Sequence, residues 1–178
     1  MGIDPGLNCT GYGVVDRQPE GRCVLVEGGT IRTSATTELP VRLNLLFEGL
    51  TGALAELQPE LVVVESLYSA YRHPRTAILM GHARGVIYLA AQRAGLPVVA
   101  YPASEVKRAI TGSGRAGKAQ VAEMVCRMLR LSAVPTPNDV TDALALALCH
   151  AAPQRLGGER RLPLAVSEAL EQSGRPRR

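Results

Sequence analysis

"ELVVVES", residues 60 to 66, decides the fold. Leu61 to Val64 form an unbroken apolar run that ends in the carboxylate of Glu65. A strand with one wet face would alternate polar and apolar residues, and a surface helix would space its apolar residues three and four apart. A short continuous run reads instead as a strand buried on both faces, which calls for helices on both sides of its sheet. "PVVAY", residues 97 to 101, has the same character, and residues 75 to 94 between the two runs read as a long helix.

Upstream, "MGIDPG" reads as a short strand ending in a turn. "GYGVVDR" (11 to 17) and "RCVLVEGGTIRT" (22 to 33) read as strands joined at "QPEG", a hairpin or meander. Residues 39 to 57 carry apolar side chains at helical spacing, and Pro59 stops that helix. Downstream, helices are expected at about 103 to 111, 117 to 131 and 138 to 151. Three antiparallel strands followed by βα units make an α/β domain with a mixed five-stranded sheet flanked by helices.

A chain of 178 residues suits one domain that buries about 70% of its unfolded surface. No apolar run reaches the roughly 18 residues of a membrane span, and no signal peptide opens the chain. Cys9, Cys23, Cys126 and Cys149 form no C-x-x-C pair and read as reduced thiols of a cytosolic protein, and the three histidines show no metal-ligand spacing. Of the net charge of +4, the segment from Ala152 carries six Arg and three Glu, a surplus of three. The folded domain is therefore expected over 1 to 152. A loosely ordered Arg/Pro/Gly-rich tail follows over 153 to 178, in which "LAVSEALEQ" could form a short helix. The nearly neutral remainder requires any nucleic-acid surface to be a local basic patch beside acidic groups.

"AITGSGRAGKAQV", residues 109 to 121, is one residue short of a phosphate-binding P-loop, because Ala119 stands where Ser or Thr should hold Mg²⁺. The segment before it has a helical pattern, whereas a P-loop follows a buried strand, so an ATPase is set aside and the stretch reads as a glycine-rich link between helices. Lys107 and Lys118 flank it, and they are the only lysines among 20 basic residues. A chain that otherwise uses arginine points to a need for a compact ammonium at these two positions.

Acidic residues carry the chemistry. Asp4 ends the first strand, where a structural Asp-Pro-Gly turn is the better reading of the residues taken alone. Glu65 ends its strand at the carboxyl edge of the sheet, where open α/β sheets bind ligands, although a strand-end charge can simply reach water. Asp139 and Asp142 share one face at the start of a helix, where a capping role also suits acids. Asp142 then borders a buried stripe and needs a partner. Four such carboxylates would be mutually repulsive without a divalent cation, and hard oxygen ligands suit Mg²⁺ or Mn²⁺. Two such ions would serve phosphodiester hydrolysis.

"GIDPGLNCTGYGVV", "LVVVESLY", "MGHARGV", "YPASEVKRAITGSGRAGKAQV" and "NDVTDALALALCH", in this order from residue 2 to about 151, resemble the Holliday-junction resolvase family RuvC. The resemblance implies a ribonuclease H-like fold and a homodimeric, Mg²⁺-dependent endonuclease that nicks two opposing strands of a four-way junction. It also implies RuvA and RuvB as partners and a bacterial cytoplasm as location. Carried over by position, Asp4, Glu65, Asp139 and Asp142 are the catalytic carboxylates. Tyr68 falls where the family has an aromatic that inserts among junction bases, and Lys107 and Lys118 match basic residues implicated in DNA contact. Arg72, Arg75 and Arg115 are expected to contact DNA beside them. "GHARG" sets Gly81 and Gly85 one turn apart, so the helix at 75 to 94 is expected to form the dimer contact. A junction-binding module without catalysis is the alternative from another class. Actin-like ATPases share the look of "GIDPGLNCTGYGVV" but need two such domains, and YqgF-type nucleases account less well for "TGSGRAGK".

Overall fold

Val62, Val63 and Val64 are all buried inside a five-stranded sheet, with helices against both faces. The computed structural model describes residues 1–66 and 74–151. In chain order its elements are β1 (Gly2–Asp4), β2 (Cys9–Arg17), β3 (Cys23–Arg32), α1 (Leu39–Leu57), β4 (Val62–Glu65) and α2 (Pro74–Arg93), then β5 (Val98–Tyr101), α3 (Ala103–Thr111), α4 (Lys118–Leu129) and α5 (Asn138–Ala151). The sheet order is β3-β2-β1-β4-β5; β1 to β3 are antiparallel, whereas β4 runs parallel to both β1 and β5. This is the mixed five-stranded sheet that the residue pattern implies, in the ribonuclease H-like arrangement that the family resemblance implies. The second strand starts at Cys9, earlier than its apolar pattern, because Cys9 and Thr10 still pair with Arg32 and Ile31. The tail from Pro153 and its possible helix lie outside the described residues.

Side-chain alternation divides the core in two. Ile3, Val14, Val62 and Val64 face α1 and α2, meeting Leu46, Leu50 and Ile87. Val63, Val99 and Tyr101 face the other way, onto α3, α4 and α5. On this second face, β1 and β2 present Gly2, Gly11 and Gly13, and α5 lies directly on their backbone. A Cβ on Gly2 would stand 2.0 Å from the Ala143 carbonyl oxygen, and one on Gly11 would stand 2.1 Å from that of Asp139. One on Gly13 would meet Leu144 Cδ2 at 2.5 Å. The helix is correspondingly apolar and small-sided, and Ala143 to Cys149 are all buried. No helix among the described residues is long and apolar enough to cross a membrane.

The glycine floor can be tested against an open glycine. Gly11→Ala should lose on the order of 1–3 kcal/mol or more, since backbone must move to admit the methyl group. Gly52→Ala, in α1 with nothing within 4 Å of its Cβ position, should gain roughly 0.5–1 kcal/mol from helix propensity. Urea midpoints measure both; a Gly11→Ala variant as stable as the parent would mean that α5 does not rest on β2.

Candidate active site

β1 and β4 are parallel neighbours, so their carboxyl ends emerge at the same edge. The register pairs Gly2 with Val63 and Ile3 with Val64; one step further sets Asp4 beside Glu65. Gly2, Asp4, Gly11 and Gly13 share one face by alternation, as do Val63 and Glu65, and this is the face that α5 covers. Because α5 begins over Gly11, which pairs with Asp4, its first turns bring Asp139 and Asp142 to the same edge. Thus β1, β4 and α5 each contribute to one acidic corner. Glycine sets the distance, since a side chain at position 11 would hold the helix off.

The corner is electrostatically crowded. Asp4, half-buried, has its pKa pushed up to about 7, first by burial and then by the charges of Asp142, Glu65 and Asp139, with Lys118 opposing. Glu65 is open to water on one side, but its carboxyl is also raised, by desolvation against the protein and by Asp142; Lys118, Lys107 and Arg84 act against the shift. Among the described residues no three His, Cys, Asp or Glu side chains converge tightly enough to ligate one ion as they stand. The donor chemistry nevertheless fits a hard divalent cation. The donors are carboxylate oxygens, and Asp4 takes a pKa near neutrality because it is buried and because the neighbouring acids add to that shift.

The partner that Asp142 needs is Lys118, whose Nζ lies 2.9 Å from Asp142 Oδ2. This contact raises the lysine pKa further, by the hydrogen bond and charge of Asp142 and then by Asp4 and Asp139. The glycine-rich stretch delivers it. α3 ends at Gly112, whose left-handed φ of 83° closes the helix through its N–H to the Arg108 carbonyl. Ala116 anchors the turn in the core, and α4 starts at Lys118. No strand feeds this turn, as expected of a helix link. Arg115 lies on its exposed side, and Lys107, half-buried on α3, is near enough to Glu65 to lower its pKa.

Three further residues support the corner and were not legible beforehand. Arg84 of α2 is buried; one guanidinium nitrogen donates to the Glu65 carbonyl oxygen, and another donates to Tyr88 Oη at 2.6 Å. Its Nε has no partner among the described residues. Arg42 of α1 is buried and donates to Thr33 Oγ1 and Asn8 Oδ1, and Thr33 Oγ1 donates in turn to the Leu7 carbonyl. It thereby holds the turn that follows Asp4. Cys9 points to the α5 face and its thiol hydrogen-bonds Asp139; burial and that carboxylate raise its pKa. Alternation from Gly11 would have placed Cys9 on this face, and an arginine within the small-sided "GHARGV" segment was the signal for Arg84. Tyr68 and Arg72 lie outside the described residues. Arg75 lies within α2, but its side chain is likewise not described.

Residues 1–150 match the family model for the crossover junction endodeoxyribonuclease RuvC. Over 175 residues the chain is 47% identical to the RuvC of Salinispora arenicola, covering 98% of each sequence. It is 49% identical to that of Rhodopirellula baltica over 149 residues, 84% of this chain and 83% of the relative. The fold superposes on Thermus thermophilus RuvC in complex with Holliday junction substrate with a TM-score of 0.80 at 38% identity, covering 85% of this chain and 91% of that one.

Crowding of the acids makes a pH-dependent prediction. The unfolded Asp4 carboxyl releases its proton near 3.8, whereas the folded one holds it to about 7. The folded protein therefore binds more protons in that interval. Stability from this group is fully present below pH 3.8 and is lost as pH rises through 7. With a chelator present, Asp4→Asn should melt at the parent's temperature near pH 4 and above it at pH 8. A variant no more stable than the parent at pH 8 would remove Asp4 from the crowded corner.

Proposed function

This chain belongs to the RuvC family of crossover junction endodeoxyribonucleases, and we propose that it resolves four-way DNA junctions by paired symmetric nicks, in recombination and repair. The observation that carries this reading is the convergence of Asp4, Glu65, Asp139 and Asp142, from β1, β4 and α5, at one edge beside Lys118. Nucleases of this family are divalent-metal dependent. The four carboxylates would hold Mg²⁺, two ions per subunit, with Mn²⁺ able to substitute. Bound there, the metal would activate water and stabilise the leaving oxygen. The acids would orient the ions, and β1 and β4, paired in the sheet, would keep that geometry rigid.

Lys107, Arg115 and Lys118 would bind DNA phosphates, which position the strand without reading its sequence. Arg72 and Arg75 would extend this surface. Tyr68 would stack on a splayed junction base, an interaction worth roughly 1–3 kcal/mol. A homodimer is supported by the outer face of α2: Ile78 and Leu89 are exposed, and Gly81 and Gly85 have nothing near their Cβ positions, so another backbone can approach. A two-fold axis there would supply two active sites for two symmetric strands. The nuclease domain would comprise residues 1–152, with 153–178 as an appended tail. The protein would work in a bacterial cytoplasm with RuvA and RuvB, with neither ATP nor a membrane.

A labelled four-way junction incubated with Mg²⁺, with linear duplex as control, tests the reading. Paired nicks in the junction alone are expected, and binding without cleavage would leave a junction-binding module. Asp142→Asn should lower cleavage by orders of magnitude while junction binding in Ca²⁺ persists or tightens, because a negative charge facing phosphate is gone. Normal cleavage by this variant would remove Asp142 from the metal site. Tyr68→Ala should bind the junction but not cleave it, whereas Tyr68→Phe should do both.

A further inference from the structure

We propose that Lys118 and a divalent cation compete for the same oxygen of Asp142, so that metal binding releases the lysine toward the DNA phosphate. The proposal rests on the reading of the four carboxylates as a cation site. Lys118 Nζ already sits 2.9 Å from Asp142 Oδ2. A divalent ion ligated by that oxygen at about 2 Å would lie within a few ångströms of the ammonium. Two positive charges so close repel, so each weakens the other's hold on that oxygen, and the divalent ion would draw on Asp4, Glu65 and Asp139 as well.

Exposure decides which partner yields. The Lys118 side chain is 77% exposed and that of Asp142 30%. Asp142 is fixed by α5, whose neighbouring residues are buried against the sheet. Lys118 is the first residue of α4 and follows Gly117, around which nothing lies within 4 Å of a Cβ position. Its flexible stem can swing the ammonium to solvent without disturbing the helix. Released, the charge stands at the rim of the acidic corner, beside Arg115 and the open glycine turn, where a phosphodiester would approach. Metal and phosphate then assist one another: the cation frees the lysine for phosphate, and phosphate holds it away from Asp142. Such coupling is reciprocal.

Mn²⁺ affinity of the full-length protein, measured by electron paramagnetic resonance without DNA, tests this independently of cleavage. Lys118→Met should bind Mn²⁺ at least about threefold more tightly than the parent, as expected from loss of a partly exposed ion pair. It should also show a larger Mg²⁺-induced rise in melting temperature. Lys118→Arg, which keeps the charge, should stay near the parent. Ca²⁺ should strengthen junction binding more in the parent than in Lys118→Met. Unchanged or weaker Mn²⁺ binding by Lys118→Met, with Asp142→Asn weakened as a metal ligand should be, would overturn the competition and leave the metal site standing. No Mn²⁺ binding by the parent would overturn the site reading itself, and the competition with it.

Discussion

The backbone contact between α5 and the glycine floor of β1 and β2 is the constraint on which the rest depends. A helix packed on ordinary side chains would stand farther from the sheet, and Asp139 and Asp142 would be carried away from Asp4. Gly2, Gly11 and Gly13 remove that spacer, and the alanines of α5 complete the fit from the helix side. Close packing of this kind tolerates little change in volume. Packing that tolerates little change therefore lies directly behind the acidic corner.

That corner is assembled against electrostatic preference. Carboxylates from three elements crowd together, and burial, with their charges added, shifts the protonation of Asp4 to near neutrality. The strain is tolerated because sheet pairing and helix burial hold the backbone whatever the charge state of the acids. Cations are arranged around the edge in graded fashion. Lys118 touches Asp142 directly, while Lys107 and Arg84 act on Glu65 from farther away. A site with excess negative charge and one displaceable ammonium suits both a divalent metal and the phosphate that must approach it.

Arg84 joins the corner to the far side of the sheet. It is rooted in α2, holds the Glu65 carbonyl, and lies 5.3 Å from the ring centre of Tyr88 on the same helix. The other side of α2 presents exposed Ile78 and Leu89 and two open glycines. One helix thus braces the last residue of β4 and displays the face proposed for a second subunit. A shift in α2 would be felt at Glu65 through a single side chain.

Local pattern alone determined the elements of this protein. The valine run and the helical spacing at 39–57 and 138–151 appear at the expected residues, and so do the early strands apart from the earlier start of β2 at Cys9, because backbone periodicity is set by neighbours along the chain. The same logic located Asp4 and Glu65 at strand ends and Asp139 and Asp142 on one helical face. It also identified the glycine-rich stretch as a link between helices, from the absence of a feeding strand. What it could not supply was who meets whom. The Lys118–Asp142 pair spans 24 residues and the Arg84–Glu65 contact 19. Cys9 reaches Asp139 only because α5 is laid across β2. Gly2, Gly11 and Gly13 read as strand residues until the helix is in place, and only then are they a floor. These facts belong to tertiary structure, since a contact between distant segments depends on how whole elements stack, which no single segment's periodicity encodes.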